Sequence, residues 1–428
     1  MVVSWLGAVI GLILAIVLIL KHLNPVYALM AGAVIGALIG GADLTQTVNL
    51  VVEGTASVTG TIVRVLAAGV LAGVMMETGA AEQIARTIVA RFSDRMALFS
   101  LALATMIITA VGVFIPVAVI IVAPIALAVG EKLGFTKLSL LLALSGGGKA
   151  GNIISPNANT IMAAKGFHVE LSQVMIHGFI PAIFGLIASV VIASLIKHRG
   201  AKAVALPSKK SADSDNRLPS FGQAVVAPLV AIVVLMLNPI GDIFHVAFLK
   251  SFQFDAMYIL PVASIIGLIA MGKTKHMMTY ISSGVEKMTG VVMILIGAGA
   301  LAGLVAASNL STEIVSAVKF FGIPGMLLSP LSGILMGAAV ASTSTGVIIA
   351  TQSFAHSILS FGVSPVGAAV MMQAGAVTID QLPQGNYFHV TRASMGMRIK
   401  ERLTLVPYEA LVGLTMVVVS TIIYGIIL

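Results

Sequence analysis

The chain has 428 residues, of which 58% are hydrophobic and only 9% are charged. Soluble proteins carry roughly 25% charged residues, so this composition excludes a water-soluble globular enzyme. The sequence contains no cysteine, which excludes disulfides, thiolate nucleophiles and Cys-type metal sites. The net charge of +8 comes from basic residues in short loops between apolar runs, and such a distribution does not indicate nucleic-acid binding.

Apolar runs in chain order predict an all-α polytopic membrane protein, since about 20 apolar residues cross a bilayer as a helix. The first run is too long for a signal-peptide core and is predicted to be a retained span. The runs of the first half are Val2–Leu20, Val26–Ala42, Gly60–Met76, Ala97–Gly130, Leu138–Ala163 and Val174–Ile196. Those of the second half are Val225–Leu237, Met257–Met271, Gly290–Ala307, Gly325–Phe361, Val363–Phe388 and Leu403–Leu428.

A polar, basic stretch separates the two halves and is predicted to be a cytoplasmic linker. The resulting division is a first repeat at 1–196, the linker at 197–222 and a second repeat at 223–428. We predict about ten spans, two broken helices, and two re-entrant hairpins at 97–130 and 325–361, with both termini outside. In this arrangement only Lys165, Lys250 and Lys319 of the 24 Lys and Arg residues fall in outside segments, as the positive-inside rule requires.

The two halves align without gaps when the sequence is shifted by 230 residues, so that Gly54–Ile84 matches Gly284–Ile314. In the predicted topology the first copy runs from outside to inside and the second from inside to outside. Inverted repeats with discontinuous helices are typical of secondary transporters and indicate a binding site near the bilayer midplane. The matched pairs include Gly54/Gly284, Gly69/Gly299, Leu71/Leu301, Gly73/Gly303 and Ile84/Ile314.

Four stretches at membrane depth are rich in Gly, Pro and small polar residues and are predicted to interrupt helices. Backbone groups released there are tolerated only beside protein or a wet cavity. Half-helix N-termini favour an anion, whereas C-terminal carbonyl ends hold Na⁺. The stretches are Ala110–Pro116, Ser145–Thr160, Ala341–Gly346 and Gly375–Asn386.

The hydroxyl and amide side chains of these stretches are the predicted substrate-binding groups, because they bind carboxylates and hydroxyls without the cost of a buried charge. Two alternatives remain open at this stage. The glycines at 146–148 also suit a packing contact between helices, and the hydroxyls at 342–345 also suit bonds to the preceding helical turn. The predicted binding residues are Asn152, Ser155, Asn157, Asn159, Thr160, Ser342, Thr343, Ser344, Thr345, Thr378, Gln381 and Asn386.

Two ionisable residues lie within the predicted breaks. Asp380 is predicted to carry the coupling ion, since an intramembrane carboxylate indicates a functional site; the alternative is that it caps a half-helix. Lys149 is predicted to attract an anionic substrate or to alternate with it as a counter-ion. The alternative for Lys149 is a snorkelling ammonium or a pair with Asp380.

These residues resemble the ion transporter superfamily and, within it, the gluconate permease-like family of gluconate:proton symporters. The resemblance is carried by Thr109–Pro124, Ser155–Thr160, Ser342–Gly346 and Gln384–His389, and it spans nearly the whole chain. It implies a homodimeric elevator in a bacterial cytoplasmic membrane, in which a transport domain of hairpins and broken spans slides across a scaffold. It also implies small carboxylates as substrates, with H⁺ or Na⁺ as coupling ion and no further cofactor.

The sequence therefore predicts a cation-coupled symporter of a small organic anion, such as a hydroxy or sugar acid, with H⁺ favoured over Na⁺. A Na⁺/H⁺ antiporter without organic substrate is the first alternative, although the hydroxyl-rich and amide-rich clusters disfavour it. An intramembrane hydrolase is the second. It is disfavoured because the predicted topology places no histidine at membrane depth facing Ser155 or Ser342 as a base.

Overall fold

The computed structural model describes residues 3–205, 218–243, 246, 248, 255–383 and 385–427. These residues are helical almost throughout, and no β-strand forms among them. Isolated bridges occur between Val3 and Ser308 and between Thr136 and Lys202. The predicted all-α class is confirmed.

The first half contains eleven helices before the linker. In order they are α1 (Trp5–Leu20), α2 (Pro25–Ile39), α3 (Leu44–Ser57), α4 (Thr59–Glu77), α5 (Ala80–Arg91), α6 (Ala97–Ala110), α7 (Ile115–Leu133), α8 (Lys137–Asn152), α9 (Ala158–Gly166), α10 (Leu171–His177) and α11 (Phe179–Leu195).

The second half is also helical over its described residues. Its described helices are α12 (Phe221–Ala224), α13 (Val226–Ile243), α14 (Ala256–Ala270), α15 (Met277–Ala306), α16 (Leu310–Phe320), α17 (Leu328–Val340), α18 (Thr343–Leu359), α19 (Pro365–Ala376), α20 (Asn386–Ser394) and α21 (Ile399–Thr421), which continues as a π-helix to Ile427. Single 3₁₀ turns precede α6, α15 and α17 at Asp94–Met96, Thr274–His276 and Gly325–Leu327.

Among the described residues, four helices are long and apolar enough to cross a membrane, and a bent pair adds a fifth. The four are α4, α7, α15 with its preceding turn, and α21 with its π-helical end. The pair is α10 and α11, which meet at 44°. Other apolar helices are shorter: α1 has 16 residues and α2 has 15. At 1.5 Å per residue these cover less than the roughly 30 Å of a hydrocarbon core. The count of about ten spans stays a prediction.

Helices end within all four stretches in which breaks were predicted. Residues 111–114 separate α6 from α7, with Gly112 at a φ of 108°, a conformation that glycine adopts without strain. Ala341, at a φ of 47°, ends α17 immediately before α18. The remaining two interruptions lie between α8 and α9 and between α19 and α20.

The second break is shorter than predicted, because α8 continues as helix to Asn152. The glycines at its centre are packing positions, as the alternative interpretation held. A Cβ on Gly147 would lie 2.0 Å from the carbonyl oxygen of Ala102 on α6. A Cβ on Gly146 would lie 2.2 Å from the Ser189 side chain on α11. Small residues here let three helices approach closely.

Glycines related by the 230-residue shift pack against one another reciprocally. A Cβ on Gly54 would lie 2.2 Å from the carbonyl oxygen of Gly299. A Cβ on its repeat partner, Gly284, would lie 2.2 Å from the carbonyl oxygen of Gly69, which is the repeat partner of Gly299. Such reciprocity is the pattern that a two-fold axis between the halves produces. Helices α3, α4 and α15 form this glycine seam.

The middle of the predicted linker, residues 206–217, lies outside the described residues, which resume at Leu218. Its end is helical, because Ser220 and Gln223 form a capping box at the start of α12. Gln384, one of the residues that carry the family resemblance, also lies outside the described residues.

Candidate functional site

A cavity of about 430 Å³ lies where the tips of both predicted hairpins meet the last broken helix. Four helices begin at its wall: α2 at Pro25, α7 at Ile115, α18 at Thr343 and α20 at Asn386. The first N–H groups of a helix have no partner within the helix and carry partial positive charge. The convergence of four such ends favours an anion in the cavity.

Two of these helix starts keep their N–H groups without a side-chain cap among the described residues. They belong to α7, which follows Phe114, and to α20, which follows Gly385. The start of α18 is capped, because the Ser342 hydroxyl accepts from the backbone N–H of Thr345 at 3.4 Å. The first donors of α20 therefore remain available to a bound ligand. At α7 only the Ile115 N–H does, because Pro116 has no N–H and the Val117 N–H donates to the Phe114 carbonyl oxygen at 3.0 Å.

The cavity brings together seven of the predicted site residues from three separate breaks. Four belong to the start of α18, and their hydroxyls are the main polar groups of the wall. Tyr387 also lines the cavity and was not predicted as a site residue. The seven are Asn152, Ser342, Thr343, Ser344, Thr345, Asp380 and Asn386.

A second group of predicted residues lies beside this cavity and holds the break between α8 and α9 in place. The Asn157 side chain donates to the Asn152 carbonyl oxygen at 2.9 Å and accepts from the Thr160 backbone N–H at 3.2 Å. The Asn159 amide and the Thr160 hydroxyl both donate to the side-chain oxygen of Gln373, at 3.2 and 3.0 Å. Sequence reasoning missed Gln373, although an amide within the apolar run of α19 was a detectable signal.

Lys149 and Asp380 form a buried ion pair, which was one of the alternatives left open by the sequence. Both side chains are buried. The Lys149 ammonium also donates to the Val377 carbonyl oxygen and, at 2.9 Å, to the Gln381 side-chain oxygen. The other oxygen of Asp380 accepts from the Thr343 hydroxyl. One face of Asp380 thus meets the cavity and the other meets Lys149.

The remaining predicted residues do not line the cavity. The Thr378 hydroxyl donates to the Ala374 carbonyl oxygen in the last turn of α19 at 2.9 Å. The Ser155 hydroxyl is buried without a hydrogen-bond partner among the described residues. Gln381 acts on the site through Lys149, since its amide nitrogen is held by the carbonyl oxygens of Thr378 and Val406.

A second buried ion pair joins Arg402 and Glu409 on α21, with 2.6 and 3.1 Å between guanidinium nitrogens and carboxylate oxygens. Both side chains of this pair are fully buried. The Ser145 hydroxyl donates to Glu409 and also bonds to the Tyr387 hydroxyl. Tyr387 therefore links this pair to the cavity wall.

A larger cavity of about 860 Å³ lies between the glycine seam and helices α9 and α18. Gly54 and Gly303 line one side of it, and Met162 and Gln352 line the other. The described residues contain no cluster of three or more His, Asp or Glu side chains that would hold a metal ion.

The chain is similar to known transport proteins. The sequence model of the GntP family permease matches residues 2–427. An uncharacterised transporter of Haemophilus influenzae is 47% identical over 424 residues, which is 99% of each chain. A high-affinity gluconate transporter of Escherichia coli is 25% identical and covers 90% of this chain and 91% of its own.

A D-serine transporter of Escherichia coli is 23% identical over 86% of each chain. Among solved structures, the YdaH transporter of Alcanivorax borkumensis matches with a TM-score of 0.61 at 15% identity. The match covers 97% of this chain and 98% of the YdaH chain. At that identity the likeness concerns the fold.

Proposed function

The chain belongs to the GntP family of permeases, and from this premise we propose that it is a proton-coupled symporter of a small organic anion, such as gluconate or another hydroxy or sugar acid. It is a multi-pass integral membrane protein and a transporter of the organic-anion class, not an enzyme. The substrate, the coupling ion and the mechanism of movement are the proposed parts.

The observation that carries the proposal is the convergence of helix N-termini on a cavity lined with hydroxyls. The uncapped N–H groups at the start of α20, together with the Ile115 N–H of α7, favour a carboxylate. The hydroxyls of Ser342 and Ser344 suit the hydroxyl groups of a hydroxy acid. Because Lys149 balances Asp380, the wall carries no net negative side-chain charge that would repel an anion.

Asp380 is the proposed carrier of the coupling proton. It faces the cavity, and its two oxygens are held by Lys149 and by the Thr343 hydroxyl at the tip of the second hairpin. Protonation of Asp380 would weaken its attraction to Lys149, so proton binding is linked to the contact between the broken helix and the hairpin. A Na⁺/H⁺ antiporter would not need the hydroxyls that surround this carboxylate.

We further propose an elevator mechanism with the chain as a homodimer in a bacterial cytoplasmic membrane, both termini outside. The larger cavity supports this mechanism, because it separates the glycine seam from helices α9 and α18, which hold part of the site. The reciprocal glycine contacts support two inverted halves. In this proposal helices α3, α4 and α15 belong to the scaffold, and α6–α9 and α17–α20 belong to the moving domain.

Uptake into proteoliposomes tests the function directly. With an inward proton gradient we expect accumulation of gluconate or another hydroxy acid above its equilibrium level, and collapse of that accumulation by a protonophore. Ser344→Ala, which removes one cavity hydroxyl, should raise KM. Ser316→Ala, at an exposed position on α16, should leave KM unchanged.

Two other results would assign a different function. Sodium-driven proton movement without any organic acid would favour the antiporter. Uptake of D-serine with no response to carboxylates lacking an amino group would favour an amino-acid substrate, as the name of the D-serine relative suggests for that protein.

A further inference from the structure

The ammonium group of Lys149 is enclosed by oxygen atoms deep in the protein. Its three acceptors are the carboxylate of Asp380, the backbone carbonyl of Val377 and the side-chain carbonyl of Gln381. A lysine ammonium has three N–H donors and no acceptor. Every donor is thus used, and the side chain is fully shielded from solvent. Burying a lysine ammonium is energetically unfavourable unless nearby oxygen atoms compensate its charge.

The protein positions these oxygens without help from the lysine. Val377 follows the last residue of α19, where the helix dipole places partial negative charge on the carbonyl groups. The Gln381 amide nitrogen donates to two carbonyl oxygens, both at 3.1 Å, and this fixes its own oxygen toward Lys149. The Thr343 hydroxyl holds the second oxygen of Asp380.

The charge of this oxygen set matches one monovalent cation. It contains a single carboxylate and two neutral carbonyl oxygens. Half-helix C-terminal ends and unwound carbonyls are the groups that hold Na⁺ in transporters with broken helices. Other charges nearby are balanced, because Arg402 and Glu409 neutralise each other. The Tyr387 ring lies 5.7 Å from the ammonium and also favours a cation.

We propose that the carboxylate of Asp380 and the carbonyls of Val377 and Gln381 form a monovalent-cation site that the ammonium of Lys149 fills. The chain supplies its own cation here, so this site needs no Na⁺ in the native protein. Removal of the ammonium leaves a vacant oxygen set that binds Na⁺. This inference is independent of the identity of the organic substrate.

Thermal unfolding of the purified full-length protein in sodium chloride and in choline chloride tests the proposal. Lys149→Ala should melt several degrees higher in sodium chloride, since a ligand that binds the folded state raises the melting temperature. Native protein should melt at the same temperature in both salts. Lys287→Ala, which removes another lysine paired with a carboxylate, Glu77, at the surface, should also show no difference.

The double variant Lys149→Ala with Asp380→Asn removes both charges, and its sodium response should disappear. Sodium stabilisation of Lys149→Ala that persists in the double variant would overturn the proposal, because the response would then come from another site. Equal melting of Lys149→Ala in both salts would overturn it as well. So would failure of Lys149→Ala to fold even in sodium chloride, because Na⁺ in the vacated site would restore the lost charge balance. None of these outcomes depends on uptake of an organic acid.

Discussion

One side of the Asp380 carboxylate lines the cavity, and the other side pairs with Lys149. The same carboxylate therefore contacts both the cavity and the buried ion pair. Replacing it with asparagine keeps the size of the side chain and removes the carboxylate. The amide oxygen can still accept from Lys149, and the amide NH2 group can donate to the Thr343 hydroxyl oxygen, so the shape of the cavity should be retained.

We expect Asp380→Asn to abolish accumulation driven by a proton gradient while sparing counterflow, in which labelled substrate exchanges with unlabelled substrate without net proton movement. Both rates are measured in the same proteoliposomes. The Ser316→Ala variant serves as the control for reconstitution. Unchanged accumulation in Asp380→Asn would contradict the coupling role.

The buried pair of Arg402 and Glu409 should be a stability element, because each charge compensates the other within α21. Removing one partner of a buried pair costs about 3–5 kcal/mol, whereas replacing both with apolar residues is often neutral. We therefore expect Glu409→Leu to be strongly destabilised and Arg402→Met with Glu409→Leu to recover much of the loss. Thermal unfolding in detergent measures both. Equal stability of the single and double variants would argue against the pair.

Individual residues were predictable by type but not by partner. Lys149 and Asp380 stood out from the sequence as ionisable groups at breaks, yet their pairing stayed open because 231 positions separate them. Arg402 and Glu409 are seven residues apart, which is two helical turns on one face. That spacing was readable, but a basic residue at the start of an apolar run equally fits a cytoplasmic loop end.

Helix α8 shows how an element combines packing with function. Its glycines let α6 and α11 approach, and its last turn delivers Lys149 and Asn152 to the site. We expect Gly147→Ala to destabilise the protein by about 1–3 kcal/mol, the usual cost of overpacking. Gly290→Ala on α15 meets no atom within 4 Å and should be neutral or stabilising by up to about 1 kcal/mol.

Thermal unfolding of the two glycine variants, measured in the same detergent, makes the comparison. A similar melting temperature for both would show that the contact of Gly147 with Ala102 tolerates a methyl group. Uptake by Gly147→Ala should fall together with its stability, because Gly147 lies on α8, whose last turn carries Lys149 and Asn152.

Helix breaks were the element-level feature that the sequence located best. Gly, Pro and small polar residues within apolar runs have few explanations in a membrane. Their limits were less certain: helical glycines at 146–148 look the same in sequence as glycines in a break. Helix ends therefore had to come from the structure.

At the scale of the whole molecule, the proposed orientation has a direct test, because the chain has no native cysteine. We expect His198→Cys, at the start of the linker, to react with a membrane-impermeant maleimide only after the cytoplasmic side is exposed. Lys319→Cys, at an exposed position of α16, should react in intact cells. The cysteine-free native chain controls for background labelling. The reverse pattern would invert the proposed topology.

Membrane character, helical class and the order of breaks were accessible from composition and pattern over the whole chain. The span count was less so, since α1 and α2 are apolar but short, and length alone does not say whether such helices cross. Contacts between the halves, such as those that form the larger cavity, depend on tertiary packing that no local pattern encodes.

The glycine seam has a mechanical consequence. Where Gly54 meets Gly299 and Gly284 meets Gly69, main chain touches main chain, so no side chain is present that could change rotamer to absorb a displacement. A displacement across the seam therefore requires the two backbones themselves to move apart. Because the two contacts are equivalent, Gly54→Ala and Gly284→Ala should destabilise the protein by the same amount. A difference in stability between the two variants would measure how far the packing of the two halves differs.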